Sequence, residues 1–199
     1  MIQLKKTTQL ILIAGAIILA RGIVTAASPE GINFGVSSLE AVTTPGRAIV
    51  ADFNGDLHPD FVVYNPSTHQ TAIWYMNNNT HLSSAMGPTI ALGWVLECVE
   101  DFNDDNHPDY ALFNPTLTIR QTSIWYMSGA TRIGSANGRT LPLAWELVAA
   151  ADFNNSGHPD YLLYNPVTRQ TAIWYLHNNV FISSAAGPTL PVGWSLIAQ

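Results

Sequence analysis

The sequence predicts an all-β fold assembled from repeats, on three observations. One passage occurs three times almost without gaps: "DFNGDLHPDFVVYNPSTHQTAIWYM" from Asp52, "DFNDDNHPDYALFNPTLTIRQTSIWYM" from Asp101 and "DFNNSGHPDYLLYNPVTRQTAIWYL" from Asp152. Its apolar runs are short, β-branched and aromatic, and are bounded by Asn-Pro, Gly-Pro or Leu-Pro dipeptides, which is strand punctuation. Beyond the N-terminal segment no stretch sustains the 3.6-residue apolar period of a surface helix.

The elements of each unit follow in one order. A first strand is read in "GWVLECVE", "AWELVAAA" and "GWSLIAQ", and a polar loop from DFN to HPD follows it. A second strand, "DFVVYNP" and its equivalents, closes on an Asn-Pro turn. The third, "QTAIWYM", is the most strongly β-forming. A weaker fourth lies around "THLSSA" before the next proline turn. Trp74, Trp125 and Trp174 recur in the third strands, and Trp94, Trp145 and Trp194 open the first strands. The extra length of the second unit falls in the turn after Pro115.

Four strands in ~50 residues is the size of one β-propeller blade. Runs such as "AIWYM" and "FVVY" are apolar on both faces, as in a sheet sandwiched between two neighbours. Three blades fall short of the four to eight that usually close a ring. The terminal strands could complete a composite fourth blade, two chains could pair as a homodimer to finish the ring, or the array could stay open; the sequence leaves these alternatives open.

Residues 1–27 read as a secretory signal: "MIQLKK" is basic, "LILIAGAIILA" is apolar, and "VTAAS" offers small residues for cleavage. The apolar core is too short for the ~20 residues that span a bilayer, although Arg21 behind it leaves an uncleaved anchor open. Residues 28–44 form an N-terminal segment with one degenerate strand, and 45–199 the repeat region. The expected location is secreted, extracellular or at the cell surface, with the periplasm an alternative. Without the signal the chain keeps five Arg, no Lys and fourteen acids. Nucleic acid and anionic membrane, which need basic patches, are therefore not expected partners. The single Cys98 cannot form an internal disulfide and reads as a small buried side chain.

The acidic loops carry the chemistry. Position 1 is Asp52, Asp101 or Asp152; position 3 is Asn54, Asn103 or Asn154; position 5 is Asp56, Asp105 or Ser156; position 9 is Asp60, Asp109 or Asp160. Calcium takes six to eight oxygen ligands, and a loop turning its odd positions inward supplies them. The carbonyl at position 7 (His58, His107 or His158) is a natural addition. Carboxylates this close repel one another unless a cation lies among them. An EF-hand is excluded, because its position-12 Glu is here Val63, Leu112 or Leu163, in strands rather than helices. The metal-free alternative is a set of Asx-rich turns capping hairpins.

D-x-N-x-D-x-x-x-D between strands, with a downstream "IWYM" strand and a ~50-residue period, resembles the FG-GAP/VCBS repeats of integrin α-subunits, some fungal lectins and many secreted bacterial proteins. The resemblance implies calcium between the first and second strands of each blade, with side-chain ligands at positions 1, 3, 5 and 9. Two features depart from it: the usual glycine at position 6 is Leu57 and Asn106, surviving only as Gly157, and Ser156 replaces the position-5 acid. The third loop is thus the weakest of the three.

No Ser, Cys or acid recurs with the loop histidines at catalytic spacing, so no enzyme is expected. The tryptophans read as packing between blades rather than sugar platforms. Arg120, Arg132, Arg139, Arg169 and the loop Asn77 to His81 vary between units and are the expected ligand contacts. The function expected is calcium-dependent, non-catalytic binding of an extracellular glycan or protein. The alternative is a purely structural repeat segment of a surface protein.

Overall fold

The computed structural model describes residues 48–116, 118–194 and 196, all within the unit Arg47–Gln199. The signal at 1–27, the degenerate strand at 28–44 and most of the terminal "GWSLIAQ" strand lie outside the described residues.

Twelve strands form three four-stranded antiparallel sheets, each in plain meander order. The first holds β1 (Ile49–Ala51), β2 (Asp60–Asn65), β3 (Gln70–Asn77) and β4 (Thr80–Thr89); the second β5 (Val95–Glu100), β6 (Asp109–Phe113), β7 (Gln121–Ser128) and β8 (Thr131–Thr140); the third β9 (Glu146–Ala151), β10 (Asp160–Asn165), β11 (Gln170–His177) and β12 (Val180–Thr189). The all-β expectation and the four strands per repeat hold. Among the described residues no helix is long and apolar enough to cross a membrane.

Local chemistry places the connections. Asn65, Asn114 and Asn165 each turn their Oδ1 back to accept an amide two residues on, at 2.9, 3.1 and 3.0 Å from Ser67, Thr116 and Val167. These Asx turns close the Asn-Pro corners. Register repeats with the sequence: Phe61 faces Trp74, Tyr110 faces Trp125 and Tyr161 faces Trp174 across the second and third strands.

The sheets pack face to face. β5 adjoins both β1 and β9, and β8 adjoins both β4 and β12. One apolar cluster joins Phe53, Ile73 and Ile90 of the first unit to Tyr110, Leu112, Trp125 and Met127 of the second. Another joins Phe102, Ile124 and Leu141 of the second unit to Tyr161, Leu163, Trp174 and Leu176 of the third. Each fully buried large side chain in these clusters contributes roughly 1.5–3 kcal/mol. β6 lies between both clusters and is buried at every position. Trp125 and Trp174 are inside the clusters, and Trp94 and Trp145 pack against them. Cys98 is buried in the second.

Candidate metal loops

The three acidic loops connect β1 to β2, β5 to β6 and β9 to β10, so they repeat at one position of every sheet. Their folding is dictated by the position-1 carboxylate. Asp52 Oδ1 accepts the amides of Gly55 (2.7 Å) and Asp56 (3.2 Å), and its Oδ2 accepts that of Leu57 (2.7 Å). Asp101 takes the amides of Asp105 and Asn106, and Asp152 those of Ser156 and Gly157. The amides converge because position 6 is left-handed in every copy: φ is +70° at Leu57, +65° at Asn106 and +86° at Gly157. The glycine missing from two loops has therefore not changed the backbone; Leu57 adopts the glycine conformation with a side chain 90% exposed.

The odd positions are chained together. Position 3 accepts the position-5 amide at 3.0, 3.2 and 2.9 Å. Position 5 accepts the position-7 amide at 2.9 Å in the first two loops and, through Ser156 Oγ, at 3.3 Å in the third. Asn54 and Asn103 also donate to Asp56 and Asp105 at 3.0 Å, a bond the Ser156 loop does not repeat.

Position 9 behaves differently. Asp60, Asp109 and Asp160 are fully buried, and both oxygens of each brace backbone. One accepts the position-2 amide of Phe53, Phe102 or Phe153 at 3.0, 3.2 and 3.1 Å. The other accepts the third-strand amide of Met76, Met127 or Leu176 at 2.9 Å. The acid that closes each loop thus ties loop, second strand and third strand together.

Electrostatics follow this geometry. Slight burial pulls the Asp52 pKa upward, but the amides of Leu57, Gly55 and Asp56 outweigh it and hold the group below the ordinary carboxylate value. The Gly157 amide does the same for Asp152, with help from Ser156. Burial pushes Asp109 up to about 6 against the Met127 and Phe102 amides, and the charges of Asp105 and Asp101 add to the rise. Glu100, the last residue of β5, is raised by burial and by Asp101.

The donor set is all oxygen, and its carboxylates repel, as suits a hard divalent cation. Each carboxylate oxygen that accepts one amide keeps a second lone pair. Among the described residues no group of three or more His, Cys, Asp or Glu side chains is gathered into a metal cage as it stands. Coordination would need those spare lone pairs, the Asn amide oxygens and main-chain carbonyls together.

Several residues have other roles than those expected of them. Arg120 is no surface ligand contact: it is buried and donates to the carbonyls of Pro142, Pro115 and Trp145. Arg132 lies 4.0 Å over the Trp125 ring and Arg139 4.3 Å over Phe181, so both pack on aromatic faces, while Arg169 is half-buried. The loop Asn77 to His81 is exposed throughout. A contact missed in the sequence joins the second and third loops: His158 Nδ1 lies 3.1 Å from Asp104 Oδ2, with His177 edge-on at 4.2 Å. Its only signal was the non-recurring acid at position 4. No protein-family model matches the chain, and no curated protein matches it.

Proposed function

We propose that the chain is a secreted, calcium-binding module of the FG-GAP/VCBS type, with its three sheets as β-propeller blades, and that it binds an extracellular glycan or protein without catalysis. The observation that carries this reading is the threefold recurrence of one loop architecture at one position of three packed sheets. In the first two loops Asp52, Asn54, Asp56 and Asp60, and Asp101, Asn103, Asp105 and Asp109, would hold the ion with the carbonyls of His58 and His107. Asp152, Asn154, Ser156, Asp160 and the carbonyl of His158 offer one carboxylate fewer. When bound, calcium supplies positive charge that offsets the repulsion among these groups and stabilises the folded state by mass action. The loop residues pre-order the backbone, and position 9 transmits that order to the sheet through its two amide bonds.

Ligand contact is assigned to exposed surfaces that vary among the units, Thr80 and His81 at the end of the Asn77–His81 loop among them. The structural alternative, a repeat segment without a ligand of its own, is favoured by apolar side chains exposed among the described residues at both ends of the sheet stack, Trp74 by 43% and Phe153 by 44%.

Calcium titration followed by calorimetry and thermal melting tests the metal; saturable binding with a raised melting temperature is expected, and an unchanged melt overturns it. Screening a glycan array with and without chelator tests the ligand. Calcium-dependent signals support binding, whereas a blank array with a calcium-raised melt favours the structural alternative.

A further inference from the structure

The two sheet faces at the ends of the stack are complementary to each other. At both internal junctions the same face of one sheet meets the same opposite face of the next. Phe53 meets Tyr110 edge-on at 6.2 Å, and Phe102 meets Tyr161 at 5.8 Å. The third unit carries the corresponding Phe153, but it is 44% exposed where Phe53 and Phe102 are 2% and 0% exposed. The first sheet carries the receiving residues Phe61 and Trp74, exposed by 41% and 43%, where Tyr110 and Trp125 are exposed by 0% and 8%. The described residues thus present a half-junction at each side, and the halves are of opposite kind.

The polar contacts carry the correspondence further. At the second junction Tyr126 donates its hydroxyl to Asn178 Oδ1 (2.6 Å), and Asn179 Nδ2 donates to the Asn137 carbonyl (3.2 Å). Asn178 sits at the tip of the β11–β12 hairpin with φ +56°. In the first sheet Asn78 occupies the equivalent tip with φ +53°, and Asn79 follows it, both exposed. In the third sheet the residue equivalent to Tyr126 is Tyr175. On the third sheet Trp145, the residue before β9, helps to line a hollow with Leu163, Ala172 and Trp174. On the first sheet Val63, Ala72 and Met86 line a hollow of about 460 Å³ at the equivalent place. Phe61 keeps the ring of Tyr110 and Tyr161 and omits their hydroxyl.

We infer that the open face of the first sheet is a docking surface for the third sheet of a second copy of this chain, joined head-to-tail. Phe153 packs on Phe61 of the second copy, and Tyr175 donates to its Asn78. A heterologous contact of this kind closes into a ring or grows into a fibre. Two copies give six sheets, within the four to eight of closed propellers, so the assembly is a closed dimer in which two such junctions cover every end face once. The copy number rests on the propeller reading proposed above; the face-to-face docking rests on the internal junctions alone.

The test uses the full chain, purified from an exporting host, and measures mass by sedimentation across concentrations. Wild type is expected at twice the chain mass. Phe153→Arg and Phe61→Asp, one on each face, are each expected to weaken association by at least ~30-fold. Each should keep the far-UV spectrum of the wild type. Mixing the two variants leaves one junction without any substitution and sets Arg against Asp at the other, so the dimer should return. Should either variant fail to fold, Tyr175→Phe and Asn78→Ala make the same comparison with smaller changes. A wild type that stays single at all concentrations overturns the inference, as do single variants that still dimerise or a mixture that stays apart. Open polymers overturn the closed dimer. A failed calcium titration beside an intact dimer would instead count against the metal reading alone.

Discussion

Leu57 occupies a backbone conformation that costs an ordinary L-residue on the order of 1–2 kcal/mol, and its side chain packs against little, being 90% exposed. Leu57→Gly is therefore expected to stabilise the protein by about 1 kcal/mol after the entropy of the freer unfolded chain is subtracted. A melting temperature a few degrees higher would show it. Asp109 makes the opposite case. Replacing it by Ala leaves the buried amides of Phe102 and Met127 without acceptors, at roughly 1–3 kcal/mol each, and denaturant unfolding should report the loss. Its titration gives a pH signature. The folded-state pKa, about 6, lies above the ordinary aspartate value of 3.8, so the folded state holds the proton more tightly. That contribution is full below the unfolded value and is lost as pH rises through about 6. In chelator, wild type should lose stability relative to Asp109→Asn as pH is raised from 4 towards 7; parallel curves would refute this. The acidic loop itself was legible in the sequence, because Asx turns are local. The bracing role of position 9 was not, because its partner in β3 lies sixteen residues away in the chain.

At the scale of elements, the fourth strand of every sheet carries a glycine where the third strand comes too close for a side chain. A Cβ on Gly138 would lie 2.3 Å from Thr122 Oγ1, and one on Gly187 equally near Thr171 Oγ1. These threonines are buried, and their hydroxyls donate to Arg139 and Pro188 carbonyls. Gly138→Ala should thus cost about 1–3 kcal/mol through overpacking. Thr122→Ala in the same chain removes the obstructing hydroxyl, so the double substitution should cost less than the sum of the singles; strict additivity would show that the two strands do not meet there. Strand order and turn positions were readable because each hairpin joins neighbours in sequence. This close approach was not, since "SANG" and "SAAG" read simply as a weak strand.

Across the whole molecule, equal sequence does not mean equal burial. Ile124, in the central sheet, is fully buried, whereas Ile173, at the same position of the third sheet, is half-buried. In dilute solution Ile124→Ala should cost roughly 2–5 kcal/mol and Ile173→Ala clearly less, by chemical denaturation; equal costs would mean that the end face is covered in the single chain. The same contrast separates the two sources of information about this protein. Its sequence alone determined that it is all-β, that it has three four-stranded units, where the hairpins turn and where the acidic loops fall, because hydrogen-bonded hairpins and Asx turns depend on residues close in the chain. Only the tertiary structure decided which apolar faces are core and which are open. β2 and β6 hold the same place in their units and both are mostly apolar after the leading Asp, yet β2 is half-exposed and β6 is buried throughout. A sheet acquires its interior from the sheets on either side of it, and the first and third sheets each have a described neighbour on one side.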